Sequence, residues 1–357
     1  MLLEHFWWGS VFLINVPAMV LLMILGPSLL PETRASIRRR FDLAGSVLAL
    51  ATVLPAIYGI KQWATEGFRP LYLLAIVVGL AMGALFVLRQ KRAVDPMLDL
   101  SLFAAKLFTA SAVSNAIAMF ALVGNAVFLT QYLQAVKGLS PLAAAIWSIV
   151  PSIAVAAAAP MATALAGRIG RLPVICGGFV VAAIGFSTMT MVTATGSIAV
   201  PLIGSGILAA GAVAVLSLAA EISLATTGPE RAGTVAAVVD TSGEFGGELG
   251  IAILGSVGAA SYSAAVVAGA PAGLPADMLT RISSTIGEAV ATAQSIGGST
   301  STALLDTARS AFAHSITVVS VCGAALLVVA AVSIWALGRG AENTVSENKV
   351  PADAATQ

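Results

Sequence analysis

The chain alternates between long apolar runs and short connections that hold most of its charge. The runs lie near residues 8–30, 43–60, 70–88, 107–133, 141–165, 173–194, 197–220, 233–260 and 311–337. A helix rises about 1.5 Å per residue, so about 20 apolar residues cross a hydrocarbon core about 30 Å thick. Nine such runs predict an all-α polytopic membrane protein with about nine transmembrane helices. The first run does not read as a cleaved signal peptide: no basic segment precedes it, it is too long, and Asn15-Val16-Pro17 interrupts it. Only one connection is long. Residues 261–310 are rich in Ser, Thr, Ala and Gly, with Pro271 and Pro275 near the start. They read as a solvated loop carrying a short surface helix over Ile282–Ala293. The final stretch, 341–357, is polar and reads as a disordered tail.

Composition removes the soluble alternative. Of 357 residues, 58% are hydrophobic and 10% charged, with a mean hydropathy of +0.96, whereas soluble domains carry roughly 25% charged residues. The net charge of +1 points to no nucleic-acid partner, but the placement of the charges is informative. Alternate connections receive 13 and 5 of the 18 basic residues, the richer set including Arg34, Arg38, Arg89, Arg92, Arg168 and Arg171. Cytoplasmic loops carry the excess of Lys and Arg, which predicts an inner-membrane protein with a cytoplasmic C-terminus and an extracytoplasmic N-terminus. Trp7, Trp8, Trp63 and Trp335 fall at span ends, where aromatic residues anchor to the interface. Cys176 and Cys322 lie in separate apolar runs without metal-ligand spacing and read as small core residues. No cofactor or metal is implied. An enzyme is not expected: there is no HExxH, GxSxG or Walker loop, and the histidines are His5 and His314 alone. The missing nucleotide site also argues against an ATP-driven pump.

Candidate chemistry concentrates in the eighth run. Asp240, Glu244 and Glu248 repeat every fourth residue, which places them within an arc of about 80° and over about 12 Å of one helix. A charge at the bilayer centre costs at least about 2.5 kcal/mol, so a column of acids there is a functional candidate. Glu244 falls nearest the midplane. Low dielectric and mutual repulsion favour proton uptake by such carboxyls, and an ionised member can pair with a cation. The competing reading has them paired to neighbouring helices or facing a wet vestibule. Glu221, at the end of the seventh run, is a further acid that suits an interfacial position. Asn115, Asn125, Gln131 and Gln134 on the fourth span are able to line a cavity or to hydrogen-bond between helices. Trp147, inside the fifth span, is able to stack on a planar cation. Gly243, Gly246, Gly247 and Gly250 form small-xxx-small pairs that permit close helix packing.

Several segments resemble the fourteen-helix drug:proton antiporters of the major facilitator superfamily. These are Phe12-Leu13-Ile14-Asn15-Val16-Pro17 with Leu29-Leu30-Pro31-Glu32, and the run from Asp95-Pro96-Met97-Leu98 to Phe103. Most specific is Gln131-Tyr132-Leu133-Gln134 with Gly138-Leu139-Ser140-Pro141 and Pro151. The segment Leu3 to Ser10 is most similar to methyl viologen and quaternary-ammonium efflux pumps. Asp240-Thr241-Ser242 and Glu244-Phe245-Gly246 correspond to that family's acid-Thr-Ser and Tyr-Glu-Leu-Gly pattern, while Glu248 stands where the family has a small residue. Ala166-Gly167-Arg168-Ile169-Gly170-Arg171 resembles the superfamily's cytoplasmic signature loop without its aspartate.

The resemblance implies a major facilitator-type bundle lacking the family's first five helices. Residues 1–30 would be the last helix of the N-terminal bundle, 31–105 two linking helices with an amphipathic cytoplasmic segment, and 106–340 the C-terminal six-helix bundle. The implied activity is proton-coupled efflux of lipophilic cationic drugs, such as quaternary ammonium compounds or methyl viologen, by a larger transporter. Its partners are the drug, protons, the lipid bilayer and a missing N-terminal half. A transport-inactive fragment, or one half of a split transporter, remains the alternative.

Overall fold

A computed structural model describes residues 9–13, 15–29, 42–67, 69–93, 100–225, 232–271 and 274–347. Leu3–Trp8, Leu30–Glu32, the basic cluster at Arg34–Arg40, Asp95–Asp99, Arg231 and the tail 348–357 lie outside the described residues. The chain divides into two units, Met1–Asp42 and Leu43–Gln357. The first contributes a helical turn at Ser10–Leu13 and α1 (Asn15–Leu29), an apolar helix of 15 residues.

The second unit holds α2 (Leu43–Glu66), α3 (Pro70–Arg92), α4 (Lys106–Gln131), α5 (Pro141–Trp147) and α6 (Ile149–Ile169). They are followed by α7 (Arg171–Met189), α8 (Ala199–Ala225), α9 (Ala232–Gly269), α10 (Ala276–Ser284), α11 (Ile286–Ile296) and α12 (Gly298–Glu347). Among the described residues there is no strand. Among the described residues, eight stretches are long and apolar enough to cross a membrane, with α5 and α6 counted as one. They match eight of the nine predicted runs; the remaining one, 8–30, is the shorter α1.

The boundaries follow from local chemistry. Ser140 caps α5 by accepting from the Ala143 amide at 3.2 Å, and Pro141 takes the first helical position, where its missing N–H costs nothing. Pro151 has no N–H to offer the Trp147 carbonyl four residues back, and the helix breaks there into α5 and α6. Gly138 ends the turn after α4 at φ +66, and Gly170 separates α6 from α7 at φ +91, a backbone region that favours glycine.

Burial differs sharply between helices. The most apolar window of α8 is 61% buried and that of α7 56%, whereas α2, α3 and α6 reach 11%. Helix α8 sits against α7, α6 and α4; α9 against α4 and α12; and α2 pairs with α3 as a hairpin that also touches α9. The core between α4, α7, α8 and α12 is built on Tyr132, Phe179, Phe186, Leu208, Leu218 and Ile316. Helix α4 is the polar spine of this core. Asn125 donates to Ser205 Oγ of α8 at 3.0 Å, Ser111 and Ser223 share a 2.7 Å hydrogen bond, and Asn115 reaches α9.

At the far end of α4 the chain makes one π-helical turn, Tyr132–Val136. This aims Tyr132 and Lys137 at the α7–α8 connection. The Tyr132 hydroxyl donates to Thr193 O at 2.8 Å, and Lys137 Nζ donates to Ala194 O at 2.7 Å and Gly196 O at 2.6 Å. Burial, with the Arg309 guanidinium as a second cause, lowers the Lys137 ammonium from its ordinary pKa.

The connection expected to be a solvated loop is instead mostly helical. Helix α9 continues to Gly269, α10 and α11 follow, and α12 begins at Gly298. Ile282, Ile286, Ala289 and Ala293 are buried, and the Tyr262 hydroxyl of α9 donates to Ile282 O at 2.9 Å. The expected short helix over Ile282–Ala293 therefore appears as α11 with the end of α10, seated on the bundle. Helix α12 runs to Glu347, past the point where the polar tail was expected to begin.

Candidate functional site

Helix α9 presents distinct glycine and carboxylate faces. Gly243, Gly246, Gly247 and Gly250 are buried against α4. A Cβ at Gly246 would lie 2.1 Å from the Ala116 carbonyl oxygen, and one at Gly250 2.3 Å from that of Phe120, so the two backbones nearly touch. Polar bonds lock the same seam: Asn115 Nδ2 donates to Val239 O at 2.9 Å and to Ser242 Oγ at 3.4 Å, while Ser242 donates to Val239 O at 2.7 Å.

Asp240, Glu244 and Glu248 are centred about 110° around the helix from these glycines, and all three are exposed. None forms an ion pair or hydrogen bond among the described residues. The helix thus carries a column of exposed carboxylates about 12 Å long.

The other predicted residues do not join this column. Asn115 lies near it in height but points into the α4–α9 seam, and Asn125 is buried against α8 with its Oδ1 unpartnered among the described residues. Both are interhelical hydrogen-bonding residues. Gln131 and Gln134 are exposed at the end of α4, and Trp147 is 42% exposed at the end of α5. Glu221 pairs with Arg171, which braces the end of α8 to the start of α7.

One feature escaped the reading of the residues. Phe245, Leu249, Ile253 and Val257 repeat every fourth residue along α9 and, with Phe120 of α4 and Leu326 of α12, line an apolar groove of about 440 Å³. The repeat itself was the available signal. At about 100° per residue, Phe245, Leu249 and Ile253 lie roughly 100–180° around the helix from Glu244. The groove and the carboxylates therefore face different surroundings.

Residues 1–251 match the model of the Major Facilitator Superfamily. The chain belongs to this superfamily. Its members are transporters rather than enzymes, and the eight apolar helices are those of a multi-pass membrane protein. Among curated proteins it is 35% identical to the multidrug efflux pump LfrA of Mycolicibacterium smegmatis over 93% of this chain and 66% of that protein. It is 32% identical to the methyl viologen resistance protein SmvA of Salmonella typhimurium over 94% of this chain and 67% of that one. The multidrug resistance protein Stp of Mycobacterium tuberculosis is 29% identical, over 74% of this chain and 49% of its own length. The chain thus spans from about half to two thirds of the length of these relatives. Among solved structures, a bacterial homologue of the human lysosomal transporter Spinster, inward-facing and unoccupied, is 18% identical over 81% of this chain and 67% of its own, with a TM-score of 0.44.

Proposed function

We propose that this chain exports lipophilic cationic drugs in exchange for protons, as part of a larger transporter in the bacterial inner membrane with its C-terminus in the cytoplasm. The observation that carries this reading is the column of three exposed carboxylates on α9, unpaired among the described residues. An ionised carboxylate in a span is retained only where water, a proton or a cation offsets its cost. Glu244, in the middle of the column, is the coupling acid: it holds either a proton or the charged substrate, so binding of one releases the other. Asp240 and Glu248 extend the path by one helical turn on either side. The names of the relatives support the substrate class, since one pump is named for methyl viologen resistance, a planar dication.

Alternating access requires two helical bundles moving about a shared site. The low burial of α6, with Ile153, Met161 and Leu165 exposed, is in keeping with a further bundle on this one. The test is ethidium or methyl viologen export, driven by an imposed pH gradient, in cells of an efflux-deficient strain. The chain is produced alone and together with the helices that its relatives carry beyond the aligned region, each with and without Glu244→Gln. Proton-dependent export that disappears with Glu244→Gln is expected. Export indifferent to that substitution removes Glu244 from the mechanism, and no export in any combination overturns the proposal.

A further inference from the structure

A recess of about 460 Å³ opens at one end of the α2–α3 hairpin, outside every element assigned above to transport. Leu48 of α2 forms one wall; Leu85, Leu88, Arg89 and Arg92 of α3, with Ala93 just beyond it, form the other. At about 100° per residue, Leu85, Leu88, Arg89 and Arg92 fall within an arc of about 100°, while Lys91 lies about 160° from Arg89 and about 100° from Arg92 and does not line the recess. The recess therefore has two chemistries in sequence, a leucine wall and then two guanidiniums.

Its setting restricts what fits. Leu85 and Leu88 are 48% and 51% exposed, and α2 and α3 bury little of their apolar surface, so the leucine wall is continuous with the side of the hairpin open to hydrocarbon. The last turn of α3 carries Arg89, Lys91 and Arg92. On the orientation set by the distribution of basic residues, that turn stands at the cytoplasmic leaflet, where the anionic lipids of the membrane attract it.

We propose that this recess binds one anionic phospholipid of the cytoplasmic leaflet, with its phosphate on Arg89 and Arg92 and an acyl chain along Leu48, Leu85 and Leu88. Guanidiniums present forked donors that match phosphate oxygens. A soluble phosphate would use the arginines and leave the leucine wall idle, and a zwitterionic lipid would bring its own ammonium beside two guanidiniums. The bound lipid ties the ends of α2 and α3 together at the membrane surface.

Native mass spectrometry of the detergent-purified chain, with equal amounts of phosphatidylglycerol and phosphatidylcholine added, tests this directly. One phosphatidylglycerol is expected to survive activation that strips phosphatidylcholine. The double variant Arg89→Gln/Arg92→Gln is expected to lower that retention about tenfold or more, and Lys91→Gln to leave it unchanged. Leu48→Trp, which fills the recess without touching charge, is expected to lower it too, with circular dichroism confirming that each variant is folded. Glycerol phosphate at the same concentration is expected not to displace the lipid. Equal retention of both lipids, equal loss with Lys91→Gln, retention in the double variant, or displacement by glycerol phosphate would each overturn the proposal.

Discussion

The seam between α4 and α9 makes a sharp quantitative demand. In Gly246→Ala the new methyl carbon would sit 2.1 Å from the Ala116 carbonyl oxygen, where carbon and oxygen need about 3.3 Å. Helix α9 must therefore withdraw by about 1 Å, and because the obstacle is backbone, no rotamer change relieves it. Overpacking of this kind costs about 1–3 kcal/mol, and withdrawal also stretches the Asn115 bond to Val239 O, one to two turns away, worth about 1 kcal/mol. The sum is about 2–4 kcal/mol, or roughly 3–5 °C of melting temperature for a chain of this length. Gly255 provides the control. A Cβ there meets nothing within 4 Å, and alanine favours a helix interior by about 1 kcal/mol over glycine, so Gly255→Ala should melt at or slightly above the parent. The assay is thermal unfolding in detergent followed by circular dichroism at 222 nm. Gly246→Ala melting within 1 °C of the parent, or Gly255→Ala losing as much as Gly246→Ala, would refute the reasoning.

Three further outcomes are expected. Lys137→Gln removes the ammonium that holds Ala194 O and Gly196 O, so it should cost about 2–3 kcal/mol and speed amide hydrogen exchange across residues 190–198 while leaving α9 protected. Glu221→Gln breaks a pair whose side chains are 41% and 48% exposed; it should cost less than about 1 kcal/mol and leave drug export intact, unlike Glu244→Gln, in the same cellular assay. Asn125→Leu deletes one hydrogen bond together with a buried oxygen that has no partner among the described residues, so its melting temperature should fall by the equivalent of about 1 kcal/mol or less.

The apolar runs made most of the spanning helices legible because a membrane imposes one length on every span. The 141–165 run read as one unbroken span, and the structure breaks it at Ser148, three residues before Pro151. Other features depended on what each helix meets. Asn115 and Asn125 were equally suited to a cavity or a helix contact; the choice was made by Val239 and Ser205, more than 75 residues away in the chain. The 261–310 connection looked solvated because Ser, Thr and Ala dilute its hydropathy. Yet Ile286, Ala289 and Ala293 are spaced by three and four, the repeat of a helix with one buried face. Composition hid a pattern that spacing contained. Glu221 showed the reverse: its acid was visible in the sequence, but the partner that gives it a structural task, Arg171, lies 50 residues earlier.

The acids and glycines of α9 are best understood together. Four-residue spacing puts Asp240, Glu244 and Glu248 on one face but does not say which way that face turns. The glycines supply the missing angle. Gly246 lies about 200° around the helix from Glu244, and it is the residue at which α9 comes closest to α4. No other residue type fits there, so α9 can close on α4 only with its carboxylates turned away. A slip of one residue would rotate the helix by about 100° and drive side chains into the Ala116 and Phe120 carbonyls. The small residues thus fix the direction of the charge, and a substitution in the seam should disturb the carboxylate face even though it touches no carboxylate. Gly246→Ala is for that reason expected to impair both folding and cation export, whereas Glu244→Gln should impair export alone.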